Sequence, residues 1–504
     1  MYIRQKPNPS GVISVQIIDK SSGVYKVVCT IGSSNEPEKI KLLLERALQQ
    51  MAILTGQHRI NFNVTREKEL FDLFFNSLDK IRLVGPELLL GRLFDSIGFN
   101  QISDDLFRHL VIARLCYPVS KLKTTDYLFK YQGISIEVTK IYRYLDKFHR
   151  EQRELAQLIS YKHTLKILDN SINVVFYDVT TLYFEIEDPD DLRKTGFSKD
   201  GKHQQPQILL GLLVSTDGYP LAYDIFEGNK YEGKTMMPVL EAFKAKYNIN
   251  DLVVVADAGL LSNDNIAELK SKNYEYILGA RIKNEKNHVK QKILGLGLKN
   301  GQCKEIALDG YTRLIVSFSK SRAKKDAANR QRGLLKLEKA VEKGNLTKKN
   351  INNRGYNKYL KLQGDITVTI DYDKFNDDIK WDGLKGYSTN TKLDTDQVIA
   401  QYGNLWKIEK AFRISKSDLK IRPIYHRLKR RIEAHICVAF CAYKVYKELE
   451  RQLKEKKTEW SPEQAIDIAK TIYEISIVSP FSQIKESRLH LNNNEQVKLL
   501  ELFS

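Results

Sequence analysis

The sequence predicts an α/β protein centred on a mixed sheet flanked by helices, with a β-rich insertion and helical N-terminal and C-terminal regions. Three observations predict it. NVVFYDVTTLYFEIE, QPQILLGLLVSTDG and YPLAYDIFEGN are consecutive strand candidates separated by turn residues, the pattern of an antiparallel meander. KTMMPVLEAFKAKYN, DLVVVADAG, NDNIAELKSKN and EYILGARI then read as helix, buried strand, helix and strand. Helical periodicity dominates both before this block and after it.

Taken in order, residues 1–38 alternate apolar and polar around SSG and predict an N-terminal β-hairpin. Residues 39–170 form a helical region. Within it PVSKLKTTDYLFKY, GIS and IEVTKIYRYLDKFHR read as helix, turn at Gly133 and second helix. Lys140, Arg143 and Lys147 fall on neighbouring turns of the second helix, as on a recognition helix or simply a solvated basic face. Residues 171–283 and 381–450 make the core, whose strand order matches a ribonuclease-H-like fold. Residues 284–380 are an insertion domain: HVKQKILGLGLKNGQCKEIALDGYTRLIVSFS is strand-rich, KSRAKKDAANRQRGLLKLEKAVEKG is a basic helix, and DITVTIDYDKF returns to strand. A long helix starts near TDQVIAQYGNLWKIEKAFRISK, with Asp394 or Thr395 as N-cap. Residues 451–504 are expected to be helical, a candidate dimerisation segment.

The chain has 504 residues, which implies several domains, and 42% hydrophobic residues, enough to build cores. A formal net charge of +19 favours a polyanionic partner, because cations bound to phosphates release condensed counterions. No apolar run reaches the roughly 18–20 residues of a spanning helix, and the N-terminus lacks a secretory apolar stretch. Five scattered cysteines (Cys29, Cys116, Cys303, Cys437, Cys441) give no disulfide framework and no zinc motif. Cytoplasmic residence is expected, in association with the nucleoid.

Three acids stand out. Asp178 follows the apolar VVFY, and Asp257 ends the buried strand VVVA before Ala-Gly. Carboxylates at the ends of buried strands are placed where open sheets bind ligands, although such residues also serve as turn formers. On neighbouring strands the two would repel, and hard divalent cations with oxygen ligands relieve that repulsion. Glu409 shares a helix face with Arg413 and Lys416 at i+4 and i+7, and with Tyr402 at i−7, while Trp406 lies nearby. Read minimally this is an exposed Glu409–Arg413 pair. The density of aromatics beside cations suits a helix that meets DNA. His203 invites the role of general base, but a place on the loop before the second strand is the better expectation.

The spacing Tyr402, two residues, position 405, three residues, Glu409, six residues, Lys416 is similar to the Tyr-Arg-Glu-Lys signature of one branch of bacterial insertion-sequence DDE transposases, the IS-four superfamily. YDVTTLYFE around Asp178 and VVADAGLLS around Asp257 resemble the branch's two Asp motifs, and the long gap before Glu409 resembles its habit of inserting a domain there. The likeness covers about Asn173 to His435. It departs at Leu405, where the family has Arg; Lys407 or Arg413 would then have to supply any phosphate contact.

The resemblance implies an enzyme in which Asp178, Asp257 and Glu409 hold two Mg²⁺ ions, or Mn²⁺, for in-line phosphoryl transfer on element ends and then on target DNA. It further implies that Tyr402, Trp406, Arg413 and Lys416 contact DNA near the cleaved end. Arg143 and Lys147 would help recognise terminal inverted repeats, and a homodimer is the expected working unit. Two alternatives stay open: a nuclease without strand transfer, and a catalytically silent, domesticated DNA-binding protein.

Overall fold

The computed structural model describes residues 1–21, 23–55, 62–185, 188–198, 201–249, 251–260, 262–344, 346–347, 350–352, 355–363, 367–479 and 482–504. Parts of several sequence readings lie outside them: Ser22 of the SSG turn, Ile186 and Glu187 at the end of NVVFYDVTTLYFEIE, Lys199 and Asp200 of the loop before His203, Leu261 of VVADAGLLS, and Asp365 and Ile366 of the strand DITVTI. The chain forms two compact units, residues 1–81 with 475–488, and residues 82–474 with 489–504.

In the first unit, β1 (Tyr2–Pro7), β2 (Ile13–Asp19) and β3 (Lys26–Ser34) form an antiparallel sheet of order β1-β2-β3. The hairpin read from the sequence is β2–β3. A further strand precedes it, because YIRQKP pairs along its whole length with β2 despite carrying little apolar signal. Helix α1 (Pro37–Thr55) covers one face through Ala47, packed with Val15 and Ile17, and α2 (Phe62–Ser77) and β4 (Leu78–Leu83) follow in the chain.

The second unit opens with helices α3 (Arg92–Ile97), α4 (Asp105–Cys116), α5 (Lys121–Tyr127), α6 (Val138–Glu151) and α7 (Arg153–Ile167). A π-helical turn at Leu128–Gln132 prolongs α5, and Gly133 at φ +69° ends it in a left-handed conformation that favours glycine. The helix–turn–helix pair thus exists. Helix α6 buries Ile141, Tyr144, Leu145 and Phe148 and turns Lys140, Arg143 and Lys147 outward.

The core strands are β5 (Val174–Tyr183), β6 (Gln207–Ser215) and β7 (Pro220–Glu227), then α8 (Met236–Tyr247), β8 (Val253–Ala256), α9 (Asn263–Ser271) and β9 (Glu275–Ala280). Helix α10 (Asn287–Leu294), β10 (Cys303–Ala307), β11 (Arg313–Phe318), α11 (Lys320–Glu342), β12 (Leu360–Gln363), β13 (Thr367–Ile370) and α12 (Tyr372–Asp377) precede β14 (Leu384–Thr389). One eight-stranded sheet has the order β10-β11-β14-β9-β8-β5-β6-β7. β5, β6 and β7 pair antiparallel with one another, while β8 runs parallel to both β5 and β9. This is the mixed, ribonuclease-H-like arrangement expected. The boundary drawn at residue 284 does not break the sheet, however: β10 and β11 extend it through β14. Only α11, β12, β13 and α12 gather a small core of their own, with Leu334, Leu337, Tyr359 and Phe375.

Beyond β14 come α13 (Thr395–Gly403), α14 (Trp406–Arg413), α15 (Lys429–Glu455), α16 (Pro462–Ala469), β15 (Tyr473–Val478), β16 (Lys485–His490) and α17 (Asn494–Phe503). The C-terminal stretch therefore contains two strands as well as helices. Helix α15 is buried along most of its length, Cys437 and Cys441 included, and packs on α4, α6 and α7. Period-two alternation splits the sheet's side chains between two cores. Phe176, Leu182, Val253 and Val255 face the helical core that contains α15, whereas Val175, Tyr177, Val254 and Ala256 face the layer that contains α8.

Candidate active site

The site follows from that alternation. Asp178 has the parity of Phe176, and Asp257, next after β8, has the parity of Val253 and Val255. Both therefore belong to the sheet face on which α14 packs. The parallel pairing Tyr177↔Ala256 sets the two acids level on adjacent strands. Asp178 is half-buried and accepts a hydrogen bond from the Val179 amide at 2.7 Å; Asp257 is exposed and accepts one from the Gly259 amide at 2.8 Å.

The single long helix expected from TDQVIAQYGNLWKIEKAFRISK is instead two helices. The Asp394–Gln397 capping box starts α13, and the chain turns at Asn404 and Leu405, where the Leu405 amide bonds back to the Tyr402 carbonyl at 3.1 Å. Helix α14 buries Ile408, Ala411 and Phe412 and leaves Glu409 exposed. Asp178, Asp257 and Glu409 together line one cleft of about 240 Å³, with Lys385, Tyr402, Gly403, Leu405, Trp406 and Ile408.

The aromatic residues take different roles within it. Tyr402 is buried, with its ring edge-on to Tyr387 at 4.9 Å, and burial, aided by Asp257, pushes its phenol up to about 12. It stays neutral and keeps its hydroxyl proton. Trp406 is 54% exposed at the rim. Leu405 is buried at 8% exposure and packs with the helical core, so this position presents hydrocarbon where the resemblance expects a cation.

Arg413 and Lys416 do not line the cleft. A π-helical turn at Ile414–Asp418 follows α14 and breaks the α-helical phase that would place Lys416 on the face of Glu409, whereas Arg413 stays on α14 one turn beyond Glu409. Arg143 and Lys147 sit apart on α6, where Lys147 pairs with Asp104 at 3.4 Å. His203 accepts a hydrogen bond from the Ser198 amide at 3.2 Å and is likewise not a cleft residue.

Lys385 is the residue that sequence reasoning missed. It lies on β14, half-buried, with its Nζ 4.3 Å from the Tyr402 ring centroid and 5.3 Å from that of Tyr387. Burial lowers its pKa, as does Arg322, while Glu409 opposes them. The one available signal was a lysine inside WDGLKGYSTN, a stretch otherwise free of cations until Lys392.

The donor set facing the cleft is three carboxylates, all oxygen, which suits a hard divalent cation better than zinc. Among the described residues, no three His, Cys, Asp or Glu side chains are gathered so that they could hold an ion. The three acids share a wall without closing around a point.

Residues 169–444 match the family model described as Transposase DDE domain, more than half of the chain. This chain belongs to that transposase family. The match contains all three acids, Lys385 and Tyr402, so the cleft lies wholly inside the DDE transposase domain. No curated protein matches the chain. Among solved structures it is similar to a piggyBac transposase synaptic complex with hairpin DNA, at 10% identity and a TM-score of 0.37, over 77% of this chain and 79% of that one. It is also similar to a Mos1 transposase paired-end complex with the left transposon end, at 12% identity and a TM-score of 0.16, over 31% of this chain and 53% of that one.

Proposed function

We propose that this DDE transposase cleaves the ends of its own insertion sequence and joins them to target DNA, as a member of the bacterial branch with the Tyr-Arg-Glu-Lys signature. The observation that carries this reading is the convergence of Asp178, Asp257 and Glu409, distant in sequence, on one cleft. These three would hold Mg²⁺ or Mn²⁺, after side-chain rotation of the exposed Asp257 and Glu409 toward the half-buried Asp178. A metal held by these carboxylates would supply Lewis-acid chemistry, for activation of a water and for stabilisation of charge on the leaving oxygen.

The chain's own residues orient the DNA. Tyr402, neutral at physiological pH, donates its hydroxyl to a phosphate oxygen, and Trp406 offers an exposed ring to a base beside the cut. Lys385 supplies the positive charge that Leu405 does not. Arg413 and Lys416, outside the cleft, bind backbone further along the end. Arg143 and Lys147 on α6 help read the terminal repeats, within a homodimer that holds two ends together in the cytoplasm. No helix among the described residues is long and apolar enough to cross a membrane.

A second reading, a DNA-binding protein that has lost catalysis, draws on the buried Leu405 and on the spread of the acids. One experiment separates them. DNA carrying the inverted repeats that flank the coding region is incubated with the protein and Mg²⁺. Cleavage at the 3′ ends is expected, abolished by Asp257→Asn with end binding retained. Cleavage that survives Asp257→Asn removes this residue from the active site, and binding without any cleavage by the unaltered protein favours the silent reading.

A further inference from the structure

Lys385 borders a second cleft as well as the acidic one. This second space, about 680 Å³, lies between α11 and the ends of β9 and β14, and its cations are Arg281, Lys283, Arg322, Arg330, Lys358 and Lys385. Most are already neutralised. Arg330 is gripped by Asp382 in a two-point contact, Lys283 and Lys358 both pair with Asp378, and Arg322 is 3.6 Å from Asp326. Arg281 and Lys385 make no ion pair among the described residues. These two therefore carry the cleft's uncompensated charge.

Glu409 acts on the Lys385 ammonium through space but forms no ion pair with it, and a half-buried ammonium without an ion pair is costly unless something completes it. Tyr387 and Tyr402 offset part of that cost through their ring faces, but a ring is a weaker partner than an oxyanion. Tyr356, 37% exposed, gives the same cleft an aromatic wall, its ring lying close against Gly333. Cations that lead away from a phosphodiester-sized acidic site, with one aromatic surface beside them, suit a nucleic-acid strand.

We propose that this second cleft binds the phosphates of a single DNA strand, and that Lys385 hands the strand from the acidic cleft into it. The proposal rests on the transposase reading, whose substrate it deepens. The strand's backbone passes Lys385, runs beside Arg281 and places a base against Tyr356. The neutralised pairs around Asp378 and Asp382 build the walls and do not contact the strand.

The test is binding of a short oligothymidylate strand to the full chain, without metal, over a series of salt concentrations. A duplex of equal length serves as the comparison. Removing one cation that neutralises a phosphate should flatten the salt dependence of single-strand binding by about 0.7 in the log–log slope. Lys385→Gln and Arg281→Gln should each do so, with a smaller effect on the duplex, and Lys385→Arg should restore the slope. Unchanged single-strand slopes in both Gln variants, or equal reductions on both DNAs, overturn the track. Thermal melts report folding, and Arg281→Gln at an exposed position decides the matter should Lys385→Gln not fold. Failure of the transposase reading shows elsewhere, as an absence of end cleavage by the unaltered protein.

Discussion

Gly279 leaves room for Tyr402 and for nothing more. A Cβ on Gly279 would collide with the Tyr402 hydroxyl and stand 2.9 Å from the Ala258 amide nitrogen, so β9 can pass beneath α13 only with glycine at this place. Ala258 follows Asp257, so the same close approach fixes one acid and the phenol together. Gly279→Ala should destabilise the fold by about 1–3 kcal/mol through overpacking and displace Tyr402. A lower melting temperature together with reduced end cleavage is expected. An unchanged melting temperature would mean that Tyr402 is not held where it stands.

Trp406 offers the opposite test, because its ring is more exposed than buried. Trp406→Ala should shift stability by less than about 0.5 kcal/mol, the range of ordinary surface changes. Cleavage should nevertheless fall about tenfold, the equivalent of roughly 1.4 kcal/mol of stacking on one base. Full activity in this variant would remove Trp406 from the DNA interface.

Lys121 is 6% exposed and its side chain makes no ion pair among the described residues, while burial and the neighbouring Arg114 depress its pKa. A buried cation without a partner works against folding. Lys121→Met should leave the melting temperature unchanged or raise it, by about 1 kcal/mol of stability or more. A fall in differential scanning calorimetry would reveal an anionic partner.

His426 and His435 share that neighbourhood with Lys121 and Arg114, their rings 5.3 Å apart. Burial first, then these cations, lowers His426 to about 3 and His435 well below its ordinary value, with Asp146 opposing at His426. Both are neutral in the folded chain, whereas the unfolded chain protonates them near pH 6.5. The contribution of His426 is therefore complete above about pH 6.5 and is lost as pH falls toward about 3, at up to roughly 1.4 kcal/mol per pH unit, and that of His435 is lost in the same direction. Urea unfolding at a series of pH values should show a shallower acid dependence in His426→Gln than in the unaltered protein. Identical slopes would place the proton uptake elsewhere.

The strands were legible where side-chain pattern alone decides them. VVFYDVTTLY and VVVA carry the apolar runs of strands buried on both faces, and their order in the chain already implied a mixed sheet. YIRQKP was not legible as a strand, since its pairing with β2 uses backbone groups that every residue possesses. The break between α13 and α14 was missed for a related reason. Apolar periodicity runs through GNLW with little change, and only the packing of Tyr402 on β9 and of Ile408 on the core requires a turn there. Lys385 was invisible because a lysine in a strand has no meaning until its neighbours are known.

What the sequence determined by itself is the chemistry available: three carboxylates of the DDE pattern, a basic chain, and aromatics beside Glu409. Each is a property of residue types and their spacing. Tertiary structure alone decided that the parallel pairing of β5 with β8 sets Asp178 level with Asp257, that Arg413 and Lys416 fall outside the cleft, and that Lys385 enters it. Those outcomes depend on which strands become neighbours and where a helix turns, and burial of the whole core selects among such arrangements rather than any local preference.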